Sequence, residues 1–144
     1  MIGNFELLRL KKHIDSLLVL VEKKQEIYDL IMGSDHSEVI SFGDERFFKL
    51  LENEAYRKLK EDICKFIFEL PKEDLYNLYI AFSIGRLGVS KKNLYDEYEL
   101  QLNKAKQLCE DKFYLEDKFA HMEYDYLKKY LIKGLNYLLK AKDV

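Results

Sequence analysis

One long apolar seam constrains the fold of this chain more than any other feature of its sequence. Between residues 4 and 32, apolar side chains recur at alternating steps of three and four, the spacing of a heptad seam on an α-helix. Only Lys24 breaks the pattern. With Asn4 as its N-cap, the pattern predicts one continuous helix. The seam positions are Leu7, Leu10, Ile14, Leu17, Val21, Lys24, Tyr28 and Ile31.

This predicted helix is long relative to the whole chain. At about 1.5 Å per residue, residues 4–32 span about 43 Å, whereas a compact chain of this length has a diameter of about 37 Å. The helix therefore either reaches a second copy of the chain or bends over its own bundle and is covered there. The first alternative predicts a homodimer with an interface formed by Leu7, Leu10, Ile14, Leu17, Val21 and Tyr28.

A second helical pattern follows residues 33–43, which have no helical period and are expected to form a loop. Asp44 suits the N-cap of a helix that continues to about Leu70. Pro71 then ends that helix and suits the first turn of a third helix over 72–86. Because apolar residues occupy several faces of this third helix, we expect it at the centre of the bundle.

The remainder of the chain continues the helical pattern. Gly85 and Gly88 bracket the end of the third helix, as expected at a C-terminal turn. Ser90 suits the N-cap of the next helix. Further helices are predicted over 91–110, 111–121 and 123–141. The whole chain, 1–144, is therefore expected to be a single all-α domain, a bundle of five or six helices with a long N-terminal helix.

Charge and hydropathy exclude several classes of partner. The 24 Lys and Arg residues nearly balance the 26 Asp and Glu residues, giving a net charge of −2, whereas nucleic-acid-binding proteins usually carry a basic surplus. No apolar run approaches the length of a membrane helix, and residues 1–6 lack the pattern of a secretory signal. We therefore expect a cytoplasmic protein with no membrane partner, for which nucleic acid is not the expected ligand.

No motif predicts an enzyme or a cofactor. The sequence contains no HExxH, P-loop or GxSxG motif. Cys64 and Cys109 are isolated, which favours reduced, buried thiols over a nucleophile or a disulfide. Asp117, His121 and Asp125 would share one face of a continuous helix and could hold a divalent metal. The alternative for these three is a salt-bridged, solvent-exposed face.

One local turn favours binding of an anion. Arg86, Lys91 and Lys92 form the only basic turn of the chain. A guanidinium could clamp a carboxylate or a phosphate, because it is planar and has several donors. Alternatively, Arg86 could cap the third helix or pair with Asp96 or Glu97.

A second local feature favours a protein partner. Tyr95 and Tyr98 stand among acidic residues at the start of the predicted fourth helix. An acidic surface with exposed tyrosines would suit a basic protein. The alternative is that the tyrosines pack at the edge of the core.

Residues 70–88 form a Leu-rich helix that is opened by Glu73 and Asp74 and closed by Gly85, Arg86 and Gly88. This segment resembles a family of small bacterial proteins that is classed only as a domain of unknown function. The end of the chain is similar to the closing pattern of that family, so the likeness covers residues 70–138. The sequence departs from the family in lacking tryptophan, and residues 1–69 have no counterpart. The resemblance implies a helical fold and assigns no activity. The matching later positions are Tyr126, Leu127, Leu131, Gly134 and Leu135.

Together, these patterns predict a non-enzymatic helical protein that binds and regulates another protein, for example a small phage or bacterial inhibitor of a larger effector. It is expected to use no metal and no cofactor. One alternative is a nucleic-acid-binding regulator that uses the basic turn, and another is a metal-dependent hydrolase that uses Asp117, His121 and Asp125. The predicted binding residues are Arg86, Lys91, Lys92, Tyr95 and Tyr98.

Overall fold

The computed structural model describes residues 2–33, 43–108, 110 and 112–141, and within these ranges the fold is all-α with no strand. Residues 34–42 of the predicted loop lie outside the described residues. In this described part of the chain, seven α-helices and one short 3-10 turn follow each other. They are α1 (Asn4–Met32), α2 (Glu45–Glu52), α3 (Glu54–Glu69), α4 (Lys72–Leu87), the 3-10 turn (Lys91–Asn93), α5 (Leu94–Leu108), α6 (Lys112–Ala120) and α7 (Tyr124–Lys140).

The long N-terminal helix forms over the predicted range, but Gly3 caps it instead of Asn4. The carbonyl of Gly3 accepts the first helical hydrogen bond, from the N–H of Leu7 at 3.0 Å, and its N–H donates to the carboxylate of Glu6 at 3.3 Å. Despite its length, α1 does not meet the requirements for crossing a bilayer, and neither does any other helix in the described ranges.

The predicted second helix is in fact two helices. Asp44 caps α2 as predicted, accepting a hydrogen bond from the N–H of Arg46 at 2.9 Å. The prediction of a continuous helix to Leu70 is wrong, because Asn53 is extended (φ −71°, ψ 114°). Its side chain accepts a hydrogen bond from the N–H of Tyr56 at 2.9 Å. Asn53 thus ends α2 and caps α3, and because of this division the described residues contain seven α-helices and not five or six.

The main core surrounds α4. As predicted, α4 buries residues on all sides; Leu75 and Ile80, for example, have no exposed surface. Side chains from α1, α3, α5, α6 and α7 complete the same core. A smaller cluster joins the end of α1 to α2 and α3, and it consists of Met32, Leu50 and Tyr56.

The predicted dimer interface is covered inside the chain. Five of its six side chains are at most 4% exposed, and Tyr28 is half-buried. The helix therefore follows the second alternative, in which its seam is covered by helices of the same chain, namely α3, α4 and α7. In the folded chain the five buried side chains of this seam are not exposed to a second copy, because α1 would have to leave its core to present them. The homodimer itself stays a prediction. The five covered residues are Leu7, Leu10, Ile14, Leu17 and Val21.

Two glycines let α4 and α7 pack in direct contact. A Cβ atom on Gly85 would overlap the carbonyl of Tyr130, and one on Gly134 would overlap the carbonyl of Ala81. Gly85 therefore lies inside α4 and serves helix packing, instead of forming the predicted turn. Gly88 alone ends the helix, with a φ of 70° that favours glycine.

Candidate functional site

The basic turn predicted after the third helix lies on the surface. Arg86 is exposed in the last turn of α4, and Lys91 and Lys92 are exposed in the 3-10 turn. None of the three forms an ion pair with any carboxylate that the structure describes. The predicted alternative of a pair between Arg86 and Asp96 or Glu97 is therefore not observed.

Of the two tyrosines predicted to form an exposed acidic surface, only Tyr95 is exposed. Tyr95 is 59% exposed at the start of α5, whereas Tyr98 is 6% exposed and belongs to the core. Burial raises the pKa of the Tyr98 hydroxyl to about 12, and the negative charge of Glu6 contributes to this rise. Tyr98 is thus not available to a partner, and the alternative of tyrosines packed at the core applies to it.

Arg86 lies near a second cation, Lys118 of α6, which no local sequence pattern predicts. The ammonium of Lys118 lies 5.2 Å from the ring centroid of Phe82 and 5.9 Å from the centroids of Tyr79 and Tyr114. A cation at such distances is attracted to the face of an aromatic ring. Burial lowers the pKa of Lys118, and the positive charge of Arg86 lowers it further. Two cations and several rings thus share one region.

The buried ring of Phe82 packs against three other aromatic rings of this region. Phe82 is 1% exposed, and its ring centroid lies 5.8 Å from that of Phe119 and 6.1 Å from those of Tyr126 and Tyr130. The rings therefore come from α4, α6 and α7. Tyr126 and Tyr130 pack edge to face at 4.8 Å, and the ammonium of Lys129 lies 5.4 Å from the Tyr130 ring.

We call the outer part of this cluster the basic aromatic surface. Tyr114 and Tyr126 are 47% and 42% exposed there. Its three cations have no carboxylate partner among the described residues. Cations held on aromatic rings without a counter-charge are suited to bind an anionic group. The surface consists of Arg86, Tyr114, Lys118, Tyr126, Lys129 and Tyr130.

The candidate metal ligands do not converge. His121 Nδ1 lies 2.8 Å from the backbone carbonyl oxygen of Asp117 and 3.3 Å from its carboxylate. Asp125 follows a turn on α7, so it has lost the helical register with the other two. Across the ranges that the structure describes, no three His, Cys, Asp or Glu side chains could hold a metal together. In the described residues Asp117, His121 and Asp125 therefore do not come together as a set of metal ligands, and Asp117 and His121 form an exposed contact on α6 and the turn after it.

A buried carboxylate joins α1 to α4. Asp74 is 5% exposed; it accepts a hydrogen bond from Arg9 Nε at 3.3 Å and lies 3.3 Å from His13 Nε2. The ring of His13 packs against that of Phe66, with 6.1 Å between centroids. An Asp–His pair could act in acid–base catalysis, but no nucleophilic side chain among the described residues is hydrogen-bonded to His13. We interpret the cluster as structural.

Lys24, the exception in the seam of α1, is buried and not exposed to solvent. Its ammonium donates a hydrogen bond to the carbonyl of Ala120, at the end of α6. Burial lowers the pKa of Lys24 to about 8, and the charge of Lys60 contributes. The neighbouring Gln25 accepts a hydrogen bond from the N–H of Tyr124 at 3.2 Å. Lys24 and Gln25 therefore fix the turn between α6 and α7 against α1.

Cys64 does not have the properties of a nucleophile. Burial raises the pKa of its thiol, and the negative charges of Glu116 and Asp117 raise it further. A thiol with a raised pKa is mostly protonated near neutral pH and reacts poorly. Cys109 lies outside the described residues.

No family model, no curated protein and no solved structure matches this chain. The resemblance of residues 70–138 to a family of unknown function therefore stays a prediction.

Proposed function

We propose that this chain is a non-enzymatic regulatory protein that binds an acidic segment of a protein partner through the basic aromatic surface. The observation that carries the proposal is the position of Lys118. Its ammonium packs over three rings, near Arg86, and has no carboxylate partner among the described residues. Carboxylates of a partner would supply the missing counter-charge, and a guanidinium can bind a carboxylate through two parallel hydrogen bonds.

The aromatic part of the surface favours a protein partner of defined shape. Tyrosine and arginine are, with tryptophan, enriched among the residues that contribute most of the binding energy at protein interfaces. Here, the buried ring of Phe82 contacts Tyr126 and Tyr130 at 6.1 Å between centroids. Because these rings are already held in place, binding a partner would cost little side-chain entropy.

The charge distribution favours a short acidic segment over a nucleic acid. Nucleic acids are bound along tracks of cations that follow many phosphates. The chain as a whole carries a net charge of −2, and no described contact joins Lys91 or Lys92 to the basic aromatic surface. A small inhibitor would act through such a surface by covering an acidic segment of a larger effector.

Binding to a short, end-capped, glutamate-rich peptide tests the proposal by fluorescence anisotropy at low salt. In a double variant, Arg86→Gln with Lys118→Met, both charges are removed while the length of the side chains is kept. We expect affinity to fall about a hundredfold or more, since two charge-assisted contacts are lost and each is worth about 1.5–3 kcal/mol. The matched control, Lys91→Gln with Lys92→Met, has the same net charge and should bind nearly as well as the native chain.

Two results would overturn the proposal. Equal losses of affinity in the two double variants would mean that the peptide responds to net charge alone. A single-stranded oligonucleotide provides the other comparison. If the oligonucleotide binds more tightly than the peptide and loses that affinity in the Arg86→Gln, Lys118→Met variant, the surface binds nucleic acid and not an acidic protein segment.

A further inference from the structure

A groove on the outer face of α7 adjoins the basic aromatic surface. Its volume is about 400 Å³, within the range of ordinary ligand sites. Each lining residue that the structure describes has another three or four positions away along α7, so together they form a single stripe on the helix. Lys129 belongs both to this stripe and to the basic aromatic surface. The described lining consists of Asp125, Lys128, Lys129, Ile132, Lys133 and Asn136.

The lining combines aliphatic walls with a charged rim. Lysine stems cover apolar surface while their ammonium groups stay in water. The ammonium of Lys128 lies 5.6 Å from the ring of Tyr124, and that of Lys129 lies 5.4 Å from the ring of Tyr130. Ile132 is half-buried and packs against the main core. An apolar side chain can therefore contact Ile132 while carboxylates beside it meet the lysines.

The lysines of the groove have no carboxylate partner among the residues that the structure describes. None of Lys128, Lys129 and Lys133 forms an ion pair with a described carboxylate, not even with Asp125 in the same lining. Because the whole chain has a net charge of −2, this is a local concentration of positive charge and not general basicity. Charge complementarity therefore points to an acidic occupant.

We infer that the groove binds the part of an acidic protein segment in which one apolar side chain is flanked by carboxylates. This inference rests on the proposed function, because one segment would cross the groove and the basic aromatic surface at Lys129. The stripe from Asp125 to Asn136 is about 16 Å long, which about five residues of an extended segment would cover. Asp125 repels carboxylates at one end, so it selects the direction in which the segment lies.

Two end-capped peptides test this inference on the full chain. In the first, a leucine is flanked by glutamates; in the second, serine replaces that leucine. We expect the leucine peptide to bind about fivefold more tightly or better, because partial burial of one leucine is worth about 1 kcal/mol or more. Ile132→Thr should remove this preference.

Lysine variants separate the groove from general charge effects. Lys133→Gln should weaken binding of both peptides about tenfold, as expected for the loss of one charge-assisted contact of about 1.5 kcal/mol. The matched control is Lys140→Gln, which removes an exposed lysine of the same helix outside the groove and should leave both affinities unchanged. Lys133 is exposed, so this pair of variants does not depend on whether Ile132→Thr folds fully.

The outcomes distinguish this inference from the proposed function. Equal affinities for the two peptides, or equal effects of Lys133→Gln and Lys140→Gln, would overturn the groove inference. If Arg86→Gln with Lys118→Met still weakens binding in that case, the proposed function stands alone. If instead the leucine preference persists and the Arg86 and Lys118 variant binds normally, the groove is supported and the proposed surface is wrong.

Discussion

Gly85 of α4 and Gly134 of α7 bring two helix backbones into direct contact. A Cβ atom on Gly85 would lie 2.9 Å from the amide nitrogen of Gly134, closer than real Cβ atoms approach. The same two helices carry Phe82 and Tyr130, whose ring centroids are 6.1 Å apart. The glycine contact therefore sets how Arg86 and the cations of α7 lie relative to each other.

Gly85→Ala and Gly134→Ala should each lower the free energy of unfolding by about 2 kcal/mol. The added methyl group cannot rotate away from a backbone carbonyl, so the helices must separate. The destabilisation caused by this overlap outweighs the roughly 1 kcal/mol by which alanine stabilises a helix relative to glycine. Urea unfolding measures the effect.

Gly43→Ala is the control for this pair, because its methyl group would have no neighbour within 4 Å. Its free energy of unfolding should stay within about 0.5 kcal/mol of the native value. Native stability in both helix variants would contradict the backbone contact.

Asp74→Ala should lower the free energy of unfolding by about 2 kcal/mol, because it leaves Arg9 and His13 without their buried acceptor. This loss of stability is smaller than the loss from breaking a fully buried ion pair, because the side chain of Arg9 is 48% exposed. A double-mutant cycle with Arg9→Ala should give a coupling of about 1 kcal/mol. Glu73→Ala, at the exposed neighbouring position, is the control. A coupling of zero would show that the pair does not form in solution.

The stability that depends on Lys24 should rise with pH. Burial, assisted by the charge of Lys60, lowers the pKa of Lys24 from 10.5 to about 8 in the folded chain. Between these values the unfolded chain holds a proton that the folded chain has released. Stability therefore increases with pH by up to about 1.4 kcal/mol per pH unit. The increase in the free energy of unfolding is complete above the pKa of Lys24 in the unfolded chain. It disappears as the pH falls through the pKa of Lys24 in the folded chain.

The measurement is the difference in free energy of unfolding between the native chain and Lys24→Met across that pH interval. Lys23→Met, at an exposed position, should show no such slope. The pKa values of Tyr98 and Tyr124 are raised to about 12, by burial and by a hydrogen bond to Glu22 respectively. Their titration affects both proteins and cancels in the difference. A flat difference would contradict a lowered pKa for Lys24.

Asn53→Ala should lower the free energy of unfolding by about 1 kcal/mol, because the N–H of Tyr56 loses its acceptor at the start of α3. Asn53→Asp keeps a side-chain oxygen at the same place and should be close to native. Thermal unfolding followed by circular dichroism checks both variants. An alanine variant as stable as the native chain would show that the cap contributes nothing.

Sequence periodicity predicts the helices where an apolar stripe is continuous. The residues of α1 and α7 fall within or on the predicted bounds, and α4 is buried on all sides as its composition predicts. The break at Asn53 is different, because the apolar stripe from Phe47 through Leu51 and Ala55 continues across it. Only the preference of asparagine for N-caps signals that break.

An apolar stripe predicts burial but not the partner that covers it. The seam of α1 is compatible with a second chain or with the same chain, and only the fold distinguishes them. Tyr98 shares a stripe with Leu94, which is the signal that places it in the core. Of the basic aromatic surface, only Arg86 was predictable from a local pattern. Lys118 and Tyr126 come from other helices, and nothing local relates them to Arg86.

The central claim is that an acidic segment binds the basic aromatic surface, which contains Arg86, Lys118 and Tyr126. Titration of the isotope-labelled full chain with the leucine and glutamate peptide, followed through backbone amide signals by NMR, tests this most directly. We expect the perturbed signals to lie in the last turn of α4, in α6 and along α7, while those near Lys91 and Tyr95 stay unchanged. Perturbations centred on α5, or spread over all exposed lysines, would contradict the claim.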